Sequence, residues 1–213
     1  MKIEIKNLSK KFKNIEVLRD VNLTFESGKI YGLYGRNGSG KSVLLKMLCG
    51  FYSSTSGEIL YNGENLEKLD LSKLDIRAMI ENPSFFPDVS GFENLMMLAN
   101  IQKKIGCNEV IKALETVNLL DDRNKRYGKY SLGMKQKLGF ACVIMEDAKV
   151  IILDEPFNGI EKVTCDKLMN YLKELKKQDK IIILSTHIRE DLEHLSDEIY
   201  LFEDGTIKKY SGV

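Results

Sequence analysis

The first sixty residues alternate between apolar and polar side chains, which is the pattern of strands with one buried face. Ile3 and Ile5 carry this alternation near the N-terminus, and Val21, Leu23 and Phe25 carry it further along. The two segments therefore predict half-buried strands at the start of the chain.

A third strand, a helix and two hairpins are predicted from local signals. KIYGLYG at 29–35 is a short apolar run that enters a glycine-rich turn, and SVLLKMLCG at 42–50 predicts a helix that Gly50 would end. Asn-Gly at 62–63 and Asp-Gly at 204–205 lie between alternating segments. Both dipeptides predict two-residue β-hairpins, because each residue tolerates the left-handed conformation that the turn needs.

From about residue 72 to 149 the strand patterns disappear and helical spacing dominates. GFENLMMLANIQKK at 91–104 predicts one helix, and NEVIKALETVNLL at 108–120 predicts a second with one apolar face. Because strands resume afterwards, this stretch is interpreted as a helical insertion.

Two later segments, KVIILDEP at 149–156 and KIIILSTH at 180–187, begin with wholly apolar runs and end in polar residues. Such runs are typical of parallel strands buried on both faces, with functional side chains at their C-terminal ends. CDKLMNYLKELKK at 165–177 has helical spacing and predicts the crossover between them. The fold class is therefore α/β, with an added antiparallel β-sheet and an inserted α-helical part.

The chain, residues 1–213, has the length of one large domain. We expect a core from residues 1–80 and 150–213 and a helical subdomain at about 81–149, because the strands fall in the first two ranges.

Composition narrows the class of protein. The chain is 43% hydrophobic and 30% charged, which is ordinary for a globular protein with a real core. Lysine and arginine total 32 against 31 for aspartate and glutamate, so the net charge of +1 argues against nucleic acid as a partner. No apolar run approaches ~18 residues and the four cysteines form no C-x-x-C pair, so we expect a cytosolic chain that does not span a membrane by itself.

The segment GRNGSGKS at 35–42 fits G-x-x-x-x-G-K-[ST] at every position, follows a predicted strand and opens a predicted helix. In that setting the backbone N–H groups and the helix N-terminus bind a phosphate chain. Lys41 is expected to hold the β- and γ-phosphates and Ser42 to bind Mg²⁺. The predicted phosphate contacts are Gly35, Arg36, Asn37, Gly38, Ser39, Gly40, Lys41 and Ser42.

Asp154 and Glu155 end one buried strand, and His187 ends another. Two carboxylates beside a packed core need partners. Asp154 suits Mg²⁺, directly or through a bound water, and Glu155 suits the general base for the attacking water. His187 would lie at the same edge of the sheet, where it could contact the γ-phosphate or orient Glu155.

These motifs, in this order, resemble the ATP-binding subunit of ATP-binding cassette (ABC) transporters over nearly the whole chain. YSLGMKQKL at 130–138 distinguishes that family from other phosphate-loop proteins, although the usual form of its signature is L-S-G-G-Q. Leu132 and Met134 replace a Gly and the Gln, while Ser131 and Gly133 remain. This variant is similar to the subunits of bacitracin- and lantibiotic-resistance-type exporters.

The resemblance implies a P-loop NTPase (RecA-like) core and an Mg²⁺-dependent ATPase that uses ATP and Mg²⁺. It implies a head-to-tail pair with a second ABC subunit, identical or not, in which Ser131 and Gly133 face the partner's ATP. It also implies a membrane-spanning permease as partner, a peripheral location on the cytoplasmic face of the membrane, and export of a peptide or lipid-like compound.

Other positions follow from the same resemblance. Phe12 sits where the family stacks an aromatic ring on adenine, although a strand aromatic in the core fits as well. Glu81 stands where most members have Gln, and Glu161 where they have Asp. NPSFFPDVSGF at 82–92 would help form the groove for a permease helix, with Phe85 and Phe86 either as anchors or as packing between subdomains.

Two other functions remain open from the sequence. One is a soluble cassette ATPase that acts in translation or DNA repair, although the single phosphate loop and short insertion favour the transporter subunit. The other is a binding module that kept the fold without hydrolysis, which the replacements at Glu81 and Glu161 support slightly.

Overall fold

A computed structural model describes residues 1–81 and 84–210. Over these residues the strands are β1 (Lys2–Phe12), β2 (Ile15–Glu26), β3 (Lys29–Tyr34), β4 (Ser56–Tyr61), β5 (Glu64–Asn65), β6 (Ile76–Met79), β7 (Val150–Asp154), β8 (Ile181–Thr186), β9 (Glu198–Glu203) and β10 (Thr206–Lys209). The helices are α1 (Lys41–Leu48), α2 (Gly91–Gln102), α3 (Cys107–Thr116), α4 (Leu132–Ile144), α5 (Lys162–Lys176) and α6 (Arg189–Leu195).

Six strands form the central sheet, in the order β10-β9-β3-β8-β7-β6. Neighbouring strands are parallel except at the β9–β10 hairpin. Every residue of β7 and β8 is buried, which confirms the prediction of parallel strands covered on both faces. Because these strands run parallel, the polar residues that follow them meet at one edge of the sheet.

The second sheet is antiparallel, in the order β2-β1-β4-β5. Its β4–β5 hairpin turns at Asn62 and Gly63, whose φ angles of 49° and 88° match the predicted two-residue turn. The fold class predicted from the sequence, an α/β core with an added antiparallel sheet and an inserted helical part, is thereby confirmed.

The central sheet separates two hydrophobic cores. Alternate residues of its buried strands point to opposite faces: Ile151 and Leu153 pack with the helices α2–α5, whereas Val150 and Ile152 pack with α1 and the antiparallel sheet. The period-two geometry of a strand thus lets one apolar run serve both cores.

The sequence predicted no strand between about residues 72 and 149, and this prediction is wrong at β6 (Ile76–Met79). This strand has four residues, lies at the edge of the sheet and pairs with β7 alone, so only Met79 is buried and no apolar run marks it. Arg77 of β6 instead pairs with Glu146 after α4. Among the described residues, no helix is long and apolar enough to cross a membrane.

Candidate active site

The phosphate loop, residues 35–42, connects the C-terminal end of β3 to the start of α1. Gly40 is the N-cap of α1 and has a φ of 104°, a conformation that an L side chain rarely adopts. A Cβ at Gly40 would also lie 3.1 Å from the carbonyl oxygen of Val17. The motif glycine is therefore required by the turn itself, and it leaves the N–H groups of the helix start free to bind an anion.

Lys41 is buried and its side chain bends back over the loop. Its Nζ donates to the carbonyl oxygens of Gly35 at 2.6 Å and Arg36 at 3.1 Å. Burial lowers the pKa of Lys41, and the nearby carboxylates of Glu155 and Asp154 oppose that effect. The side chain is thus held against the backbone of the phosphate loop.

Ser42 and Asp154 form a pair of oxygen donors beside the loop. The Ser42 Oγ donates to Asp154 Oδ2 at 2.6 Å, and Ser185 at the end of β8 donates to Asp154 Oδ1. Asp154 is only 5% exposed, so these hydroxyls provide the partners that a buried carboxylate needs. The structure therefore brings the predicted Ser42 and Asp154 together.

Glu155 follows Asp154 at the edge of the sheet. Both of its carboxylate oxygens lie 3.0 Å from His187 Nδ1, so the predicted pair of Glu155 and His187 is in contact. The backbone of Glu155 has a φ of 48°, which is unusual for a residue with a side chain. Its N–H donates to the carbonyl oxygen of Ser185 at 2.9 Å.

These groups surround a cavity of about 550 Å³. Its lining is contributed by the phosphate loop, the two carboxylates and the start of α4: Val17, Asn37, Gly38, Gly40, Lys41, Ser42, Val43, Glu81, Leu132, Gln136, Asp154, Glu155 and Asn158. Gly35, Arg36 and Ser39 line a neighbouring cavity, which shares Val17, Asn37 and Gly38 with the first. The Ser39 hydroxyl is buried without a partner among the described residues, so a phosphate oxygen could satisfy it.

Ser131 begins α4, and its Oγ accepts a hydrogen bond from the N–H of Met134 at 3.2 Å. Ser131 is exposed and stands outside the lining of the cavity. Gly133 packs directly on the loop that follows β7, because a Cβ there would lie 2.4 Å from the carbonyl oxygen of Gly159. The two predicted signature residues therefore lie outside the lining of the cavity that contains Lys41, whereas Leu132 between them is part of it.

Phe12 lies outside the lining of the cavity. Its ring makes an edge contact with Tyr52 at 5.3 Å between centroids, and the Lys10 ammonium lies 4.9 Å from its centre. The side chain is 37% exposed, which leaves part of the ring accessible for stacking.

Glu81 and Glu161, the two acidic residues that depart from the family pattern, both form ion pairs. Glu81 contacts Lys46 of α1, and the hydrogen bond raises the pKa of Lys46. Glu161 Oε1 lies 2.5 Å from the Nζ of Lys137 on α4. That contact, with the hydroxyl of Thr164, lowers the pKa of Glu161 to about 2.

The two neighbouring phenylalanines have different surroundings. Phe85 makes an edge contact with Tyr127 at 5.3 Å and packs against the helical core. Phe86 is 66% exposed. Of the predicted groove segment, Asn82 and Pro83 lie outside the described residues.

Four residues that the sequence analysis did not single out belong to this site: Lys46, Ser185, Gln136 and Lys137. Ser185 could have been found, because it pairs in register with Asp154 across two predicted parallel strands. Gln136 and Lys137 are buried polar residues of α4. They could not have been found in this way, because the sequence does not show which segment packs against that helix.

Comparison with known proteins agrees with this geometry. The profile of the ABC transporter family matches residues 18–158. The bacitracin transport ATP-binding protein BcrA of Enterococcus faecalis is 36% identical over 205 residues, which cover 95% of this chain and 67% of that protein. The lantibiotic transport ATP-binding protein SrtF of Streptococcus pyogenes is 34% identical, with 99% of this chain and 92% of that protein covered.

A solved structure shows the same fold. The dimeric, post-hydrolysis ATP-binding cassette MJ0796 bound to ADP and Pi superposes with a TM-score of 0.89 and 22% identity, covering 99% of this chain and 100% of that one. On the family profile and these relatives, the chain belongs to the ABC transporter family, as an ATP-binding subunit.

Proposed function

We propose that this chain is one ABC nucleotide-binding domain that hydrolyses ATP to drive export through a membrane-spanning permease. The observation that carries the proposal is the contact of Glu155 with His187 at 3.0 Å, beside a cavity that also contains Lys41. A base, an orienting imidazole and a phosphate-binding cation are then together in one place. The domain has its core in residues 1–80 and 150–213 and its helical subdomain at about 81–149.

ATP is the substrate of this site. The phosphate chain lies along the loop from Gly35 to Ser42, and Lys41 moves from its loop carbonyls to the β- and γ-phosphates. Phe12 stacks on the adenine through the accessible part of its ring, an interaction worth about 1–3 kcal/mol for a base on an aromatic side chain.

The donor set beside the loop fits Mg²⁺, which prefers hydroxyl, carboxylate and phosphate oxygens. Ser42 and Asp154, whose oxygens are 2.6 Å apart, would hold the ion. When bound, the ion neutralises charge on the β- and γ-phosphates. Glu81 adds a further carboxylate to the same cavity.

Glu155 acts as the general base. It accepts a proton from water as the water oxygen bonds to the γ-phosphorus, and ADP leaves when the bond to the bridging oxygen breaks. His187 orients the carboxylate through its Nδ1 and presents its other edge to the γ-phosphate.

Two subunits, identical or different, complete each other's sites. Ser131 and Gly133 lie at the N-terminus of α4 and outside the lining of their own cavity. In a head-to-tail pair they offer a hydroxyl, an amide and the helix dipole to the γ-phosphate of the partner's ATP.

The names of the relatives support a permease partner and a peptide cargo. BcrA and SrtF are named as bacitracin and lantibiotic transport proteins, so we propose export of a peptide antibiotic or a similar compound. This role places the chain peripherally on the cytoplasmic face of the membrane, where the exposed Phe86 anchors a permease helix. A role in translation or DNA repair is not favoured, because these relatives are transport proteins.

The direct test is Mg²⁺-dependent ATP hydrolysis by the purified chain and by Glu155→Gln. We expect the unsubstituted chain to hydrolyse ATP and the variant to bind ATP but to turn over ~10²–10⁴-fold more slowly, as loss of a general base typically does. Glu174→Gln, at an exposed residue of α5, is the control and should leave turnover unchanged. Normal turnover by Glu155→Gln would reject the assignment of the base.

A further inference from the structure

The helix α4 contacts the loop from Glu155 to Glu161 at three points along its length. We call residues 155–161 the base loop. The first turn of α4 packs on its centre, where Gly133 leaves no room for a Cβ beside the carbonyl oxygen of Gly159. The other two contacts are made one turn later, by the neighbouring residues Gln136 and Lys137. One face of α4 therefore holds the whole base loop.

Gln136 holds the start of this loop. It is only 4% exposed, and its Nε2 donates to the backbone carbonyl oxygen of Glu155 at 2.8 Å. Glu155 has a left-handed backbone with a φ of 48°, and a side chain in that conformation needs support from its surroundings. The direction in which the Glu155 carboxylate points depends on this peptide, so the hydrogen bond from Gln136 bears on the general base through its backbone.

Lys137 holds the end of the loop. It is 7% exposed, and its Nζ lies 2.5 Å from Oε1 of Glu161, which also accepts a hydrogen bond from Thr164 at 2.8 Å. A buried ammonium needs such a partner. The two ends of the base loop are thus bound to adjacent residues of one helix. A movement of α4 would therefore carry the base loop with it.

We propose that Gln136 is a positioning residue that links the N-terminus of α4 to the general base Glu155 of the same chain, with the Lys137–Glu161 pair fixing the far end of the loop. The inference rests on the proposed pairing of two subunits, in which this helix end contacts the partner's ATP. A nucleotide bound at one site then sets the position of the base at the other, so the two sites hydrolyse ATP cooperatively.

The experiment compares Gln136→Met with the unsubstituted full-length chain. Methionine is about as long as glutamine but cannot donate to the Glu155 carbonyl oxygen. We expect kcat to fall ~10–10²-fold, the cost typical of a catalytic group misplaced by about 1 Å. We expect KM for ATP to stay within about threefold, since the phosphate loop is untouched, and the Hill coefficient to fall from above 1 to 1.

Gln178→Met is the matched control, because it makes the same substitution at an exposed position after α5. It should leave kcat, KM and the Hill coefficient unchanged. A second variant, Gln136→Asn, keeps the amide but shortens its reach, and it should give the same loss of kcat. If neither variant of Gln136 folds, the residue is structural and the positioning role is rejected.

The proposal is overturned if Gln136→Met keeps kcat and the Hill coefficient of the unsubstituted chain. It is also overturned if kcat and ATP affinity fall together, since a general loss of structure would do that. These outcomes differ from failure of the proposed function, in which the unsubstituted chain would not hydrolyse ATP or Glu155→Gln would not form an ATP-dependent pair.

Discussion

At the scale of single residues, the site depends on side chains that lie at strand ends and are held by a few hydrogen bonds. Lys41 shows this most clearly. Its ammonium is bound to two carbonyl oxygens of its own loop, those of Gly35 and Arg36, and burial lowers its pKa. A phosphate chain offers this buried cation a much stronger partner.

Lys41→Ala should therefore weaken ATP binding by about 10–100-fold, the loss expected from one charge-assisted hydrogen bond of ~1.5–3 kcal/mol. Titration calorimetry with ATP and Mg²⁺ measures the effect. Lys104→Ala removes a lysine from an exposed loop and serves as the control, with affinity unchanged. Equal affinity in Lys41→Ala and the control would contradict the phosphate site.

Some residues of the site could be predicted from the sequence, and others could not. The motif at 35–42, the carboxylates Asp154 and Glu155 and the partner His187 could be predicted, because each follows a strand whose apolar run is visible. The contacts of Gln136 with Glu155 and of Lys46 with Glu81 could not, since they join segments far apart in the chain through tertiary packing.

At the scale of elements, long and strongly patterned segments were predicted well and short ones were not. The buried strands β7 and β8 need continuous apolar runs, so their sequences reveal them. The edge strand β6 buries one residue in four, and α6 has seven residues, so neither leaves enough periodic signal.

The contact between α4 and α5 can be tested at this scale through Glu161. Glu161→Gln should lower the free energy of unfolding by about 0.5–1 kcal/mol at pH 7, because it removes the carboxylate partner of the buried Lys137 while solvent screens the exposed Glu161 side of the pair. The pKa of Glu161 is lowered from 4.5 to about 2, so its stabilising effect is fully present above pH 4.5 and lost as the pH falls towards 2.

Urea unfolding at pH 8, pH 6 and pH 3 measures this dependence. The difference between the unsubstituted chain and Glu161→Gln should be equal at pH 8 and pH 6 and smaller at pH 3. Glu174→Gln removes an exposed carboxylate that pairs with Lys177 and should change the free energy by less than about 0.5 kcal/mol. A difference that already shrinks between pH 8 and pH 6 would contradict the assignment to Glu161.

At the scale of the whole molecule, one chain contains the phosphate loop, Asp154, Glu155 and His187, but its Ser131 and Gly133 lie outside the cavity that these residues line. Ser131 is exposed at the start of α4, outside the lining of the cavity that contains Lys41. We infer from this separation that the single chain is half of an enzyme and that ATP itself joins the two halves.

Gel filtration of Glu155→Gln with ATP and Mg²⁺ tests this claim most directly, because the variant should bind ATP without consuming it. We predict elution at twice the 24.3 kDa mass of the chain with ATP, and at the monomer mass with ADP or without nucleotide. If the second half of the pair is a different ABC subunit, the same shift should appear when that subunit is added. The account would be contradicted if Glu155→Gln binds ATP yet stays monomeric, both alone and with the second subunit added.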